Sequence, residues 1–170
     1  MPAYNHEIEA MLHTRHDVEV AMVVDYGPDK PILAMVKPHI YCSGPVLRDL
    51  CAAMAGDAAP RVTVVLVPEI PRMASGYPDA SQTLAESRYI YRYEPPATLT
   101  EQLLISMWNE VLGRKWTGAL DDFLDLGGDS VRAVQVISRI DGELGVDVDI
   151  AQFFDFPSVR ALAALVDAAR

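Results

Sequence analysis

With 170 residues, 51% of them hydrophobic, the chain can form one mid-sized or two small domains around a buried core. Its formal net charge of −10 argues against general nucleic-acid binding, which needs a basic stripe, and favours partners with basic docking surfaces. No apolar run approaches the ~20 residues of a membrane span, and residues 1–7 lack the basic start and apolar stretch of a secretory signal, so the expected compartment is the cytoplasm. Cys42 and Cys51 lack metal-ligand spacing and are read as reduced, buried thiols.

Residues 7–12 place Ile8, Met11 and Leu12 on one stripe, which predicts a short amphipathic helix. Residues 18–24 read as a strand ending at the turn Tyr26-Gly27-Pro28-Asp29. A second strand follows over 31–36, and the short connection predicts an antiparallel pair. Ser43 can cap a helix with Pro45 in its first turn and Val46, Leu47, Leu50, Cys51 and Met54 on the inner face. Pro60 restarts the chain into a third, β-branched strand over 62–67. The predicted fold class of this half is a small α+β subdomain of about three strands with helices. Residues 81–98 read as a connection. Within it Tyr89, Tyr91 and Tyr93 alternate with Arg88, Ile90 and Arg92, which predicts a short edge strand packed on the first unit before Glu94-Pro95-Pro96 stiffens the chain.

Thr98 and Glu101 have the spacing of a capping box and open a helix with Leu103, Leu104, Met107, Trp108, Val111 and Leu112 as its apolar face, ended by Gly113. In the loop over 114–129, Leu120, Phe123, Leu124 and Leu126 are expected to pin the chain to the core. A second helix runs from Ser130 to about 143 and stops at Gly145, with Val131, Val134, Ile137 (or Ala133), Ile140 and Leu144 at helical spacing, which predicts that this face is buried. Ile150, Phe153, Phe154 and Phe156 make a short third helical turn closed by Pro157, and Ser158 caps a last helix with Val159, Leu162, Ala163 and Val166 inward. This half is therefore expected to be an all-α four-helix bundle.

The turn Leu126-Gly127-Gly128-Asp129-Ser130 carries the chemistry. Paired glycines permit a tight turn, Asp129 is a good cap, and Ser130 falls at a helix N-terminus. Free backbone N–H groups and the helix dipole favour negative charge there, so the position suits a phosphodiester. Ser130 does not fit a hydrolase nucleophile, because the Gly-x-Ser-x-Gly pattern is missing and no histidine follows His39. A calcium loop counted from Asp121 would need Phe123 as a ligand and Leu126 as its glycine, and His13 and His16 lack further ligands. Neither a metal site nor a catalytic residue is assigned.

The stretch Asp122-Phe123-Leu124-Asp125-Leu126-Gly127-Gly128-Asp129-Ser130-Val131-Arg132-Ala133 resembles the phosphopantetheine attachment motif of peptidyl carrier (thiolation) domains in non-ribosomal peptide synthetases. The resemblance implies that Ser130, flanked by Gly128 and Asp129, receives a covalent 4′-phosphopantetheine from coenzyme A through a phosphopantetheinyl transferase. It also implies a carrier of acyl or aminoacyl groups in secondary-metabolite biosynthesis, not an enzyme, with condensation, tailoring or thioesterase domains downstream. By the same analogy Val131, Val134, Phe153 and Phe154 are docking candidates.

The first half resembles the small C-terminal subdomain of the adenylation domains of those synthetases. His6-Glu7-Ile8-Glu9-Ala10-Met11-Leu12 is similar to the segment after the interdomain hinge, with His6 where the family usually has Gly, and Glu69-Ile70-Pro71 fits the end of a later strand. Pro71-Arg72-Met73-Ala74-Ser75-Gly76-Tyr77-Pro78-Asp79 aligns with the family's glycine-lysine-aspartate loop, keeping Gly76 and Asp79 but placing Tyr77 at the lysine position. A phenol, which is never a cation, cannot supply the positive charge that neutralises charge between carboxylate and ATP phosphate. The resemblance therefore implies a degenerate adenylation subdomain over 1–86, a linker over 87–97 and a carrier domain over 98–170, loaded by an adenylating enzyme supplied elsewhere, in trans or from another portion of a longer chain. The alternatives are a docking adaptor that is never loaded and a fragment of a larger adenylating module.

Overall fold

A computed structural model describes residues 3–170. The chain separates into two compact units, the first ending at Arg92 and the second spanning Tyr93–Arg170.

In the first unit, α1 (Ala3–His13) leads into β1 (Val18–Asp25) and β2 (Ile32–Pro38), followed by α2 (Gly44–Ala55), a 3-10 stretch (Gly56–Arg61) and β3 (Val62–Leu66). Two short elements close it, α3 (Ala80–Glu86) and β4 (Tyr89–Arg92). The sheet order is β1-β2-β3-β4, with β1 antiparallel to β2, β2 parallel to β3 and β3 antiparallel to β4. A parallel neighbour requires a crossover, and α2 supplies it. Strand β2 is buried on both faces, which explains its unbroken apolar run. Ile32, Ala34 and Val36 join Ile8, Leu12, Leu47 and Cys51, while Leu33 and Met35 join Val65, Val67 and Ala80.

Three expectations for this unit need correction. The sheet has four strands rather than about three: the edge strand expected over the tyrosine-rich segment pairs with β3 and makes the fourth. Helix α3 lies in the stretch expected to be a connection. Only seven residues long, it shows no clear period, and its one local signal is Asp79, whose carboxylate accepts the Gln82 N–H at 3.0 Å. The inner face of α2 is rotated from the expected one: Leu50 is exposed, and Arg48 is buried in its place at 1% exposure. The cause is β4. The Tyr91 ring covers Gly44 so closely that a Cβ there would lie 2.0 Å from it, and one turn on Arg48 reaches the Arg92 carbonyl at 3.3 Å while pairing with Asp49 at 2.8 Å. Burial pushes the Cys42 thiol up to about 11 and the Cys51 thiol to about 12, so both remain protonated and inert.

The second unit contains α4 (Leu99–Leu112), α5 (Ser130–Leu144), α6 (Ile150–Asp155) and α7 (Val159–Ala168). Their apolar faces meet in one core that includes Leu104, Met107, Trp108, Phe123, Leu126, Val136, Phe153 and Leu162. Helix α5 buries Ala133, Val136 and Ile140, leaving Val131 71% and Val134 56% exposed. Both valines were expected on the buried stripe. Once Asp129 caps the helix, the row 133/136/140 faces the core and the valines face outward. In the preceding loop Phe123 and Leu126 are buried, but Leu120 and Leu124 are not the pins they were expected to be, at 55% and 54% exposure. Among the described residues no helix is long and apolar enough to cross a membrane.

Glu101 ties the start of α4 to the start of α7. Its carboxylate accepts the Arg160 Nε–H at 2.9 Å and the Ala97 N–H at 2.6 Å, and the side chain is almost fully buried. The Arg160 guanidinium, followed by the backbone N–H of Ala97, holds the Glu101 carboxyl below its ordinary value despite burial. A depressed folded-state pKa stabilises the fold above the unfolded value of about 4.3 and loses that contribution as pH falls through the folded value. The melting temperature of the second unit should therefore fall more steeply below pH 4.5 in the native chain than in Glu101→Gln, as read by tryptophan fluorescence; parallel curves would show that the pair contributes nothing.

Candidate functional site

The turn into α5 is built on Phe123. Its ring makes edge contacts with Trp108 and Phe153, each at a centroid distance of 4.9 Å, and it is fully buried. Its own backbone is held as well, the N–H donating to the Pro157 carbonyl at 2.9 Å and the carbonyl accepting the Gly128 N–H at 2.9 Å. The Asp122 side chain accepts the Leu124 and Asp125 N–H groups at 2.8 and 3.2 Å, which shapes the loop before the turn.

The two glycines are needed for different reasons. Gly127 has φ of 89°, a region that favours glycine, although a Cβ there would meet open space. Gly128 is required by contact: a Cβ would lie 2.3 Å from the Phe123 ring and 2.6 Å from its carbonyl oxygen. Asp129 then caps α5, accepting the Arg132 N–H at 2.8 Å, and Ser130 is the first helical residue, exposed to solvent. Asp129 satisfies one of the helix's first backbone donors, and the dipole of a 15-residue helix points its positive end at the serine.

Arg132 was not anticipated at this site. Its Nη1 donates to the Gly127 carbonyl at 3.0 Å and to Asp129 at 3.2 Å, placing a half-exposed cation on the turn. The available signal was the Asp129–Arg132 charge pair at helical spacing. An exposed hydroxyl at a helix start, with a guanidinium on the adjoining turn, suits a phosphodiester. Of the residues expected to dock partners, Val131 and Val134 are exposed, and Phe154 is half-buried against Phe153 at 5.6 Å. Phe153 is a correction: it is fully buried between Trp108 and Phe123, so its ring cannot meet a partner.

Gly76, Tyr77 and Asp79 lie in the first unit. The loop folds as a small hairpin, with the Met73 N–H on the Tyr77 carbonyl at 2.8 Å, Arg72 bridged to Pro78, and Gly76 at φ 85°. Tyr77 is 68% exposed, and the Asp79 carboxylate caps α3. Lys37, the cation at the end of β2, pairs with Glu19 at 2.9 Å and Glu69 at 2.6 Å. Among the described residues no group of three or more His, Cys, Asp or Glu side chains could hold a metal ion.

Residues 102–166, from within α4 to the end of the α7 core face, match the family described as phosphopantetheine attachment site. Residues 102–166 of the second unit thus have the character of a phosphopantetheine attachment domain. They are homologous to the peptidyl carrier domains of nonribosomal peptide synthetases. The dimodular nonribosomal peptide synthase of Bacillus subtilis (strain 168) is 32% identical over 175 aligned residues, covering 96% of this chain and 7% of the synthase. Tyrocidine synthase 2 of Brevibacillus parabrevis is 43% identical over 75 residues, covering 44% of this chain and 2% of the synthase. The structure of the phosphopantetheine transferase Sfp in complex with coenzyme A and a peptidyl carrier protein contains a chain 32% identical, with a TM-score of 0.44, covering 45% of this chain and 99% of that one. The present chain spans only 2% to 7% of the length of the synthetases it matches.

Proposed function

We propose that Ser130 is the serine that carries 4′-phosphopantetheine, and that the chain serves as an acyl or aminoacyl carrier in nonribosomal peptide biosynthesis. The observation that carries this reading is the exposed Ser130 hydroxyl at the first position of α5, inside the matched span 102–166. When bound, the arm's thiol holds the acyl group as a thioester. Ser130 supplies the oxygen nucleophile for attachment. Coenzyme A would be the donor: the serine oxygen would displace adenosine 3′,5′-bisphosphate from its pyrophosphate, and the hydroxyl proton would pass to a base of the transferase. Gly128 and Asp129 hold the serine at the helix start, while Val131 and Val134, with the half-buried Phe154 as a weaker candidate, offer apolar surface to partners.

The division proposed from the sequence, an adenylation-type C-terminal subdomain over 1–86, a linker over 87–97 and the carrier over 98–170, is shifted at its first boundary, because β4 (Tyr89–Arg92) pairs with β3 and belongs with the subdomain. In that reading the first unit is degenerate and loading comes from an adenylating enzyme in trans. Three features support it: Tyr77 is a neutral phenol at the position of the family's lysine, Asp79 is engaged as a helix cap, and Lys37 is held by two glutamates. Condensation, tailoring or thioesterase domains are the proposed downstream partners. A cytoplasmic location fits the two reduced, buried thiols.

Intact-mass measurement after incubation with a broad phosphopantetheinyl transferase and coenzyme A tests the carrier role. One phosphopantetheine should add to the native chain and none to Ser130→Ala. No gain in the native chain would favour an unloaded docking adaptor, and a gain that survives Ser130→Ala would move the site elsewhere. Amino-acid-dependent ATP–pyrophosphate exchange by the chain alone would overturn loading in trans.

A further inference from the structure

An open groove of the second unit lies between α4 and α5. Its volume is about 650 Å³, and it is lined by Glu110, Val111, Val134, Gln135, Ser138 and Arg139. None of these residues contributes to the attachment turn. Ser130, Val134 and Ser138 form one i, i+4, i+8 row on α5, so the groove begins one helical turn beyond the serine and runs away from it. A rise of ~1.5 Å per residue sets Val134 about 6 Å and Ser138 about 12 Å along the axis from Ser130. At the far end Arg139 is fixed between Glu110 at 2.6 Å and Glu143 at 2.9 Å, bridging the two helices.

We propose that this α4–α5 groove is the resting place of the phosphopantetheine arm on its own carrier. The inference rests on attachment at Ser130. The order of chemistry along the arm matches the order along the row. Beyond the phosphodiester come two geminal methyl groups, which meet the exposed Val134 side chain. A hydroxyl and two amides follow, and the Gln135 amide and Ser138 hydroxyl offer both donors and acceptors to them. The thiol then reaches the Glu110–Arg139 end. The exposed apolar side chains of the loop before the turn, Leu120 and Leu124, offer less to such an arm, because they carry no amide or hydroxyl. The groove is open and its contacts are solvated, so the arm is held weakly enough for partner enzymes to withdraw it.

The test uses the full ¹⁵N-labelled chain, converted with coenzyme A and, in parallel, with a coenzyme A bearing a nitroxide on its thiol; intact mass confirms conversion in each sample. Amide signals of Glu110, Val111, Ser138 and Arg139 should be lost to paramagnetic broadening, while those of Leu124, Phe153 and Phe154 persist. Ser138→Phe, which fills the exposed groove, should convert fully by mass yet recover the Glu110 and Val111 signals. Equal broadening on both sides of Ser130, or broadening centred on α6, in a fully converted sample would overturn the groove and leave attachment intact. Absence of any mass gain would instead overturn attachment at Ser130, and the groove proposal with it.

Discussion

Gly128→Ala is expected to destabilise the second unit by about 1–3 kcal/mol, the usual cost of forcing a methyl group into a packed core. The added Cβ would fall 2.3 Å from the Phe123 ring and 2.6 Å from the Phe123 carbonyl oxygen. Neither can yield easily. The ring is locked between Trp108 and Phe153, and the carbonyl accepts the Gly128 N–H itself. Relief must come from moving the turn, which also displaces Ser130, so the rate of phosphopantetheine transfer should fall along with the denaturation midpoint. Gly142→Ala is the control. Gly142 lies within α5, a Cβ there meets nothing within 4 Å, and the helix gains about 0.5–1 kcal/mol from replacing a flexible residue. Both tryptophans, Trp108 and Trp116, belong to the second unit, so their fluorescence during urea unfolding reports on it alone. Equal midpoints for the two variants would show that Phe123 does not crowd Gly128.

The contrast between these glycines marks what was legible in the sequence. Caps and helix ends were readable because they depend on local chemistry: Asp129, Thr98 and Ser158 cap where their side chains predict, and Gly113 and Gly145 end helices at φ 67°. The helix-start position of Ser130 was readable for the same reason. Rotation about a helix axis was not. On α5 the valines at 131 and 134 and the row at 133, 136 and 140 both have helical spacing, and only tertiary packing decides which is buried. The face of α2 was misjudged in the same way, because Arg48 is buried by a partner that arrives 44 residues later at Arg92. The reason for Gly128 was equally hidden. Sequence alone makes both turn glycines look like conformational devices, whereas only Gly127 has a positive φ and Gly128 is dictated by a ring five residues before it.

That ring should give the larger loss. Phe123→Ala is expected to cost about 3–5 kcal/mol, since it removes a fully buried aromatic and leaves a cavity beside two others. Against a typical total of about 5–15 kcal/mol, this brings the second unit close to unfolding at room temperature. Leu124→Ala, one residue on but 54% exposed, should shift the midpoint only slightly, because most of its side chain is already in water. The two core effects are physically linked, and a double-mutant cycle measures the link. Once Phe123 is reduced to alanine, the ring atoms that oppose a Cβ at position 128 are gone, and only the carbonyl oxygen at 2.6 Å still resists it. Gly128→Ala should therefore cost less in the Phe123→Ala background than in the native chain, with a coupling on the order of 1 kcal/mol. If the two penalties simply add, the ring does not crowd position 128, and the Phe123 carbonyl oxygen at 2.6 Å is what excludes a side chain there.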